Sequence, residues 1–390
     1  MNIKNLLKDI AGSFRVTKLR KKHIARSSSM GEHKDPVGDV ARALHPGKIK
    51  LELLQIRNST RNAKILRFGA KQIPYFKAGQ YLTLTIKIGD SLVSRPYSIS
   101  SAPYETLGDH PIVEITIKKH KDKGFVSDYL FDKAKIRDVF EGEVGLGEFY
   151  LDPIRDSKNI VAIAGGSGIT PFISMAKEIK HGDLDANLTI LYGNVQINDI
   201  MVKEELAKCE GDKVKVVHIL SGDNPTWTGE KGYISAEIIS KYSPKDCTYF
   251  VCGPQAMYQY IEKELEKIRT PKLRVRYEVF GSTKKIDLIP GYPLEIKDKT
   301  FKMTVVRGIN EVVINAKANE PIAVALERAG ISIHTRCRSG VCGACRIKVL
   351  EGTYFVSPIG DSRRAADKDF DYVHSCSTFP TSDIKIKISI

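Results

Sequence analysis

The apolar positions change period several times along the chain. Ile3, Leu6, Leu7, Ile10 and Phe14 recur at helical spacing with Lys4, Lys8 and Arg15 between them. That spacing predicts a short amphipathic helix with a basic face. Arg20–Lys22 and Ser27–Ser29 read as linker. From Lys48 the period falls to two. Leu82, Leu84, Ile86 and Ile88 alternate with Thr83, Thr85 and Lys87, and Val113, Ile115 and Ile117 repeat the pattern. Closely spaced alternating strands predict an antiparallel barrel. From Asn159 the pattern changes again. Apolar runs at Asn159–Ala164, Leu188–Tyr192, Val214–Leu220 and Tyr249–Cys252 are separated by helical stretches from about Thr170, near 201–209, 234–241 and 255–268. Strands alternating with helices predict a parallel α/β sheet. Gly281, Pro290, Gly291 and Pro293 mark a linker. A hairpin follows, Met303–Val306 with Val312–Ala316. Next comes a helix with Pro321 in its first turn, Ile322, Ala325, Leu326 and Ala329 on one face, and Gly330 at its end. The division is therefore a basic extension at 1–47, a barrel at 48–155, an α/β domain at 156–280, a linker at 281–299 and a last domain at 300–390.

Composition narrows the class. The apolar fraction of 42 % supports real cores, and no run of about 18 apolar residues predicts a membrane span. Met1 to Met30 lacks an apolar stretch followed by a small-residue cleavage site, so no secretory signal is expected. The net charge of +15 is uneven. Residues 1–50 hold twelve Lys and Arg against four Asp and Glu, and residues 300–390 hold thirteen against nine. The basic tail suits an acidic partner or an anionic surface, or is simply solvated. Nucleic acid is not expected as a partner.

Four of the seven cysteines lie in the last fifth of the chain. Cys337-Arg-Ser-Gly-Val-Cys342-Gly-Ala-Cys345 has the spacing C-x4-C-x2-C, with Cys376 thirty-one residues on. This is the plant-type [2Fe–2S] spacing. Gly340 and Gly343 let backbone N–H groups approach the sulfurs. The alternative is a zinc site, whose usual paired C-x2-C is absent. His334 and His374 flank the loop, but all four ligand positions are already filled by Cys. Thiols at ligand spacing favour a reducing compartment, so a cytoplasmic protein is expected.

Gly165-Gly166-Ser167-Gly168-Ile169-Thr170-Pro171 follows a strand and opens a helix. Such a loop admits a pyrophosphate at a helix N-terminus, and a tight structural turn is the alternative. The segment is similar to the nicotinamide-binding domain of the ferredoxin–NADP reductase family. Cys252-Gly253-Pro254 and Met257 match that family's motif. The resemblance implies that Cys252 lies near the hydride path and that Gly165, Gly166, Gly168, Thr170, Gly253 and Pro254 bind the dinucleotide. Glu278 and Phe280, in Tyr-Glu-Val-Phe-Gly, resemble the closing segment whose aromatic residue covers one flavin face; for Phe280, core packing is the alternative. Residues 300–390 resemble the plant-type ferredoxin domain, a β-grasp fold.

Upstream, Arg95-Pro96-Tyr97-Ser98 resembles the family's flavin motif. Arg95 can pair with a flavin phosphate, Tyr97 can lie on the ring, and Ser98 can hydrogen-bond near N5. Gly124-Phe125-Val126-Ser127 is similar to the second phosphate motif, so Gly124, Val126 and Ser127 are candidate contacts. Thr116 and Lys118 occupy the strand that lines the cofactor in relatives. A helix N-terminus suits a pyrophosphate, which favours FAD over FMN, with FMN left open. Tyr192-Gly193-Asn194-Val195-Gln196 offers no cation for a 2′-phosphate, and relatives often place Arg where Val195 stands, so NADH is expected over NADPH.

The resemblance covers residues 48–390, and its domain order is similar to that of oxygenase reductases and other NADH-dependent electron donors. It implies hydride transfer from NADH to flavin at a site built by Ser98, Cys252 and Phe280. Single electrons then pass through the cluster to a metalloenzyme such as an oxygenase or a hybrid-cluster protein. The other class left open is a non-catalytic electron-transfer subunit or redox sensor. Residues 1–22 offer weak docking to a membrane or partner, against the plainer reading of a helix packed on its own barrel or a mobile tail.

Overall fold

The computed structural model describes residues 3–28, 37–38, 40–41, 47–119, 124–283, 285–358 and 360–388. The chain divides into two compact units, Met1–Pro46 and Gly47–Ile390.

In the first unit a single helix, α1 (Ile3–Ser28), runs well past the short helix predicted from the apolar spacing. Arg20–Lys22, expected as linker, lie inside it. Straight-chain Lys and Arg propagate a helix as readily as most residues, so basic composition does not mark its end. Ser29 and the side chains of Ile3, Leu6 and Leu7 lie outside the described residues. Ile10 is exposed and Phe14 is 74 % exposed.

The second unit begins with six antiparallel strands: β1 (Lys48–Thr60), β2 (Ala63–Gly69), β3 (Tyr81–Ile88), β4 (Ser91–Ser98), β5 (Ile112–Lys118) and β6 (Val139–Leu146). Their order is β4-β3-β6-β1-β2-β5, and a bridge from Ile99 to Ile115 joins the two ends into a barrel. The alternation read from sequence holds: Leu82, Leu84, Ile86, Val113, Ile115 and Ile117 are all buried in one core. Helix α2 (Val126–Lys133) caps it with buried Val126 and Leu130.

The next sheet is parallel throughout, in the order β10-β9-β8-β7-β11-β12. Its strands are β7 (Asn159–Gly165), β8 (Asn187–Asn194), β9 (Val214–Leu220), β10 (Glu230–Lys231), β11 (Thr248–Cys252) and β12 (Val275–Glu278). Helices α3 (Thr170–His181), α4 (Lys203–Cys209), α5 (Ala236–Tyr242) and α6 (Gln255–Lys267) connect them. Buried clusters cover both faces of the sheet, as parallel strands require. From β7 the chain first builds outward through β8 and β9, then returns to place β11 on the other side. That reversal makes a crevice beyond the carboxyl ends of β7 and β11, where ligands of such sheets bind.

The last domain is a mixed sheet, β14-β13-β19-β15-β17, with β13 and β19 parallel. It uses β13 (Thr300–Arg307), β14 (Asn310–Lys317), β15 (Arg346–Glu351), β17 (Tyr372–His374) and β19 (Ile384–Lys387), with a side ribbon of β16 (Tyr354–Val356) and β18 (Thr378–Pro380). Helices α7 (Ile322–Arg328) and α8 (Ala365–Asp369) complete it. Segment 281–299 joins the domains but is packed rather than loose: Ile286, Tyr292 and Ile296 form a core with Ala318 and Phe379. The predicted face of α7 needs correction. Ile322, Ala325 and Leu326 are buried, but Ala329 is exposed and Glu327 is buried instead. The helix ends at Arg328, so Ala329 no longer follows its periodicity.

Candidate functional site

Strand register assembles the reactive corner. Ala164 pairs with Cys252, and Cys252 pairs with Glu278, so the ends of β7, β11 and β12 stand side by side. A Cβ on Gly168 would lie 2.0 Å from the Cys252 carbonyl oxygen, so the loop touches the Cys-Gly-Pro turn backbone to backbone. This glycine is thus required by close packing of loop on strand end as much as by any phosphate. Residues 166–169 form one tight turn, and α3 starts at Thr170 with no side chain capping it. The Thr170 N–H already bonds the Ser167 carbonyl and Pro171 has none, so the first two residues of the helix offer no free N–H to an anion. Thr170 Oγ1 itself donates to the Ser167 carbonyl at 3.0 Å. Pro254 is exposed at the start of α6.

The barrel meets this corner directly. Ser98 Oγ donates to Glu278 Oε2 at 3.2 Å, and both side chains are buried. Phe280 is half-buried and packs edge-on against Tyr81, with ring centroids 5.1 Å apart. Burial pushes the Glu278 carboxyl well above its ordinary range, against a smaller lowering by Ser98. Burial likewise raises the Cys252 thiol, and Glu278 raises it further. The Tyr258 hydroxyl donates to the Glu278 carbonyl and accepts from Gly253 N–H at 3.2 Å, tying the turn to β12. The corner is thus dry and neutral, suited to hydride passage without proton exchange with water.

The flavin motifs lie beside it. Tyr97 OH and Ser127 Oγ are 3.4 Å apart, which joins the two motifs on β4 and α2. Burial raises the Tyr97 phenol to about 12, so it stays protonated. Thr116 Oγ1 donates to Ser100 Oγ at 3.0 Å, and Lys118 Nζ stands 3.8 Å from where a Cβ on Gly166 would lie. Pro96 pairs with Thr83 on β3, and the Val126 side chain belongs to the barrel core, leaving its backbone for any ligand. Gly124 N–H donates to Asp128 Oδ2 at 2.9 Å. Arg95 donates through Nη1 to Ser94 O and to Glu327; among the described residues Nε and Nη2 have no acceptor. A polar cradle with unused guanidinium donors fits a flavin phosphate.

The four cysteines come as two pairs. Cys345 Sγ and Cys376 Sγ are 3.2 Å apart, and Cys337 Sγ accepts from the N–H of Cys342 at 3.4 Å and of Ser339 at 3.5 Å. Among the described residues no three Cys, His, Asp or Glu side chains gather where one ion would sit. Two thiolate pairs fit two irons, two ligands each, better than one tetrahedral zinc. Gly340 has φ +85° and a Cβ there would strike the Gly360 carbonyl at 2.8 Å, so the loop's curl depends on this glycine. His374 is no ligand: its Nδ1 is hydrogen-bonded to the Gly340 carbonyl at 2.5 Å, while His334 is exposed.

Sequence reasoning missed Tyr81, Glu327 and Arg338. Tyr81 lacks a motif, Glu327 contradicts the hydrophobic periodicity of its helix, and Arg338, although inside the cysteine motif, is not one of its ligands.

Three family models match in chain order. They are an oxidoreductase FAD-binding domain over 50–150, an oxidoreductase NAD-binding domain over 162–263, and a 2Fe-2S iron-sulfur cluster binding domain over 306–381. The glycine betaine monooxygenase reductase subunit of Chromohalobacter salexigens is 23 % identical over 359 residues, 87 % of this chain and 95 % of the relative. The carnitine monooxygenase reductase subunit of Escherichia coli is 24 % identical over 310 residues, 78 % of this chain and 87 % of the relative. NADH-cytochrome b5 reductase 1 of Dictyostelium discoideum is 30 % identical over 255 residues, 61 % of this chain and 87 % of the relative. The solved structure of phthalate dioxygenase reductase, 22 % identical, superposes with a TM-score of 0.64 over 88 % of this chain and 98 % of that one.

Proposed function

The chain belongs to the ferredoxin–NADP reductase superfamily, as an iron–sulfur flavoprotein reductase with a C-terminal ferredoxin domain, and on that premise we propose how its residues serve the reaction. It passes a hydride from NADH to FAD and then single electrons through a [2Fe–2S] cluster to a partner metalloenzyme. When bound, the flavin turns a two-electron donor into a one-electron donor, and a plant-type cluster near about −400 mV makes the output strongly reducing.

One observation supports these roles above others: the three domains converge on β4. Ser98 bonds to Glu278 of the nicotinamide domain, while Arg95 bonds to Glu327 of the ferredoxin domain. Gly165, Gly166, Gly168 and Thr170 hold the dinucleotide phosphates, and Gly253 and Pro254 shape the turn beside them. Cys252 keeps its thiol neutral next to the nicotinamide. Ser98, with Glu278 behind it, orients the hydride acceptor, and Phe280 with Tyr81 covers it from water. Arg95, Tyr97, Thr116, Lys118, Gly124 and Ser127 hold the flavin, Pro96 fixes the strand between them, and Val126 contributes its backbone. Cys337 with Cys342, and Cys345 with Cys376, hold the irons.

The partner is an oxygenase, since the glycine betaine and carnitine relatives are named as reductase subunits of monooxygenases. No helix among the described residues is long and apolar enough to cross a membrane. Four thiols at cluster-ligand spacing suit a reducing setting, and we place the chain in the cytoplasm. The exposed face of α1 is a secondary docking element, tested by liposome co-sedimentation of the full chain against one starting at Gly47. Stopped-flow mixing with NADH tests the main reading. Flavin bleaching should precede cluster reduction, and ferricyanide should be turned over, which a redox sensor does not do. A flavin that bleaches while the cluster stays oxidised would refute it.

A further inference from the structure

Glu327 is 6 % exposed at the side chain, and two arginines share it. Arg338 grips it with a two-pronged fork, Nη1 to Oε1 at 2.6 Å and Nη2 to Oε2 at 3.1 Å. Arg95 reaches the same oxygens from the barrel, Nη1 to Oε1 at 3.1 Å and to Oε2 at 3.2 Å. Arg338 is 4 % exposed and follows Cys337 directly, with φ +59°. A non-glycine residue in that conformation is strained, and it persists where surroundings over-determine it. The same residue is anchored on a third side, because Ser282 Oγ donates to its carbonyl at 3.2 Å.

We propose that Arg95, Glu327 and Arg338 form an interdomain clasp that holds the cluster loop against the flavin strand β4, with Glu327 the positioning residue. The inference rests on the proposed electron path from flavin to cluster. The clasp joins a residue of the flavin motif to a residue adjacent to a cluster ligand through one carboxylate. Two guanidiniums on one carboxylate leave a positive charge over. That excess charge would suit a flavin phosphate bound beside Arg95. The pair Arg336–Glu143, 2.5 Å apart across the same junction, is more open than the clasp, 39 % exposed on the arginine side and 16 % on the glutamate side, and serves as the control. Exposed pairs hold little, whereas a buried charge left unpaired is costly.

The exchange moves one electron, lost by the flavin and gained by the cluster. The clasp sets how often the two stand in transferring geometry. The test compares the loaded wild type, Glu327→Gln, Arg338→Lys and the control Glu143→Gln. Hydrogen–deuterium exchange of peptides spanning 91–98 and 336–343 should quicken at least tenfold in Glu327→Gln and a few-fold in Arg338→Lys. Glu143→Gln should match the wild type. In stopped flow, NADH should bleach the flavin at the wild-type rate in every variant, while cluster reduction slows at least tenfold in Glu327→Gln. Unchanged exchange, equal slowing of both phases, or loss of folding or cofactor in both clasp variants would each overturn the clasp. A wild-type cluster that NADH never reduces would instead refute the electron path, and the exchange data would still report on the clasp.

Discussion

Glu114 and Glu278 are both buried carboxylates where the barrel meets the nicotinamide domain, yet they are treated in opposite ways. Glu114, 1 % exposed at the side chain, accepts from Arg57 at 2.6 Å and Arg67 at 2.8 Å, with Lys177 of α3 at 3.4 Å. Burial alone would raise its carboxyl, but Lys177, Arg57 and Arg67 outweigh that and hold it below the ordinary 4.5. Among the described residues Glu278 has one hydroxyl, Ser98, and no cation, so burial wins and the carboxyl rises. The first is a charged knot that fixes one domain on the other. The second is a neutral acid kept at the proposed hydride path. Cations brought near Glu278 would make it charged; their absence there is what the difference teaches.

The strongest way to break the contrast is Gly168→Ala. Its methyl would push the glycine loop off the Cys252 carbonyl and displace the dinucleotide from the Ser98–Glu278 corner. A shift near 1 Å predicts hydride transfer slower on the order of 100-fold, read as the rate of flavin bleaching by NADH. The knot is tested by Glu114→Gln. It leaves three cations facing a neutral amide and should cost about 2 kcal/mol of stability. That is less than for a fully enclosed pair because Arg57 and Arg67 still reach water. Thermal unfolding should show it, with the bleaching rate nearly unchanged.

Acid and base should separate the two residues further. The depressed Glu114 contributes stability above 4.5 that is lost as pH falls through its lower folded value, so the gap between wild type and Glu114→Gln should close in acid. The raised Glu278 does the reverse. Its neutral form is fully favourable below 4.5 and that contribution is lost as pH rises toward its folded value. Glu278→Gln should therefore gain on the wild type between acid and neutral pH, measured by urea unfolding at several pH values. The smallest effect on stability belongs to Ser98→Ala. Losing one neutral hydrogen bond costs about 1 kcal/mol, and without the hydroxyl Glu278 rises further, so any pH limit on flavin bleaching should move upward.

Much of this was legible before any coordinates. Alternation at Leu82–Ile88 and 113–117 declared the barrel, and the strand–helix rhythm after Asn159 declared the parallel sheet, because side-chain periodicity follows backbone geometry directly. The cluster ligands were readable because three of them share one short loop. α1 outran its expected end because charge does not terminate a helix.

Local sequence by itself determined the domains, their order and the chemistry each carries, since those depend on short-range spacing and on residue type. Tertiary structure alone decided which residues meet. It placed Cys252 beside Glu278 through sheet register, set the charge state of each buried carboxylate through its neighbours, and buried Glu327 between Arg95 and Arg338, which lie 232 and 11 positions away in the chain. Charge pairing of that kind depends on distance in space, and no period along the chain encodes it.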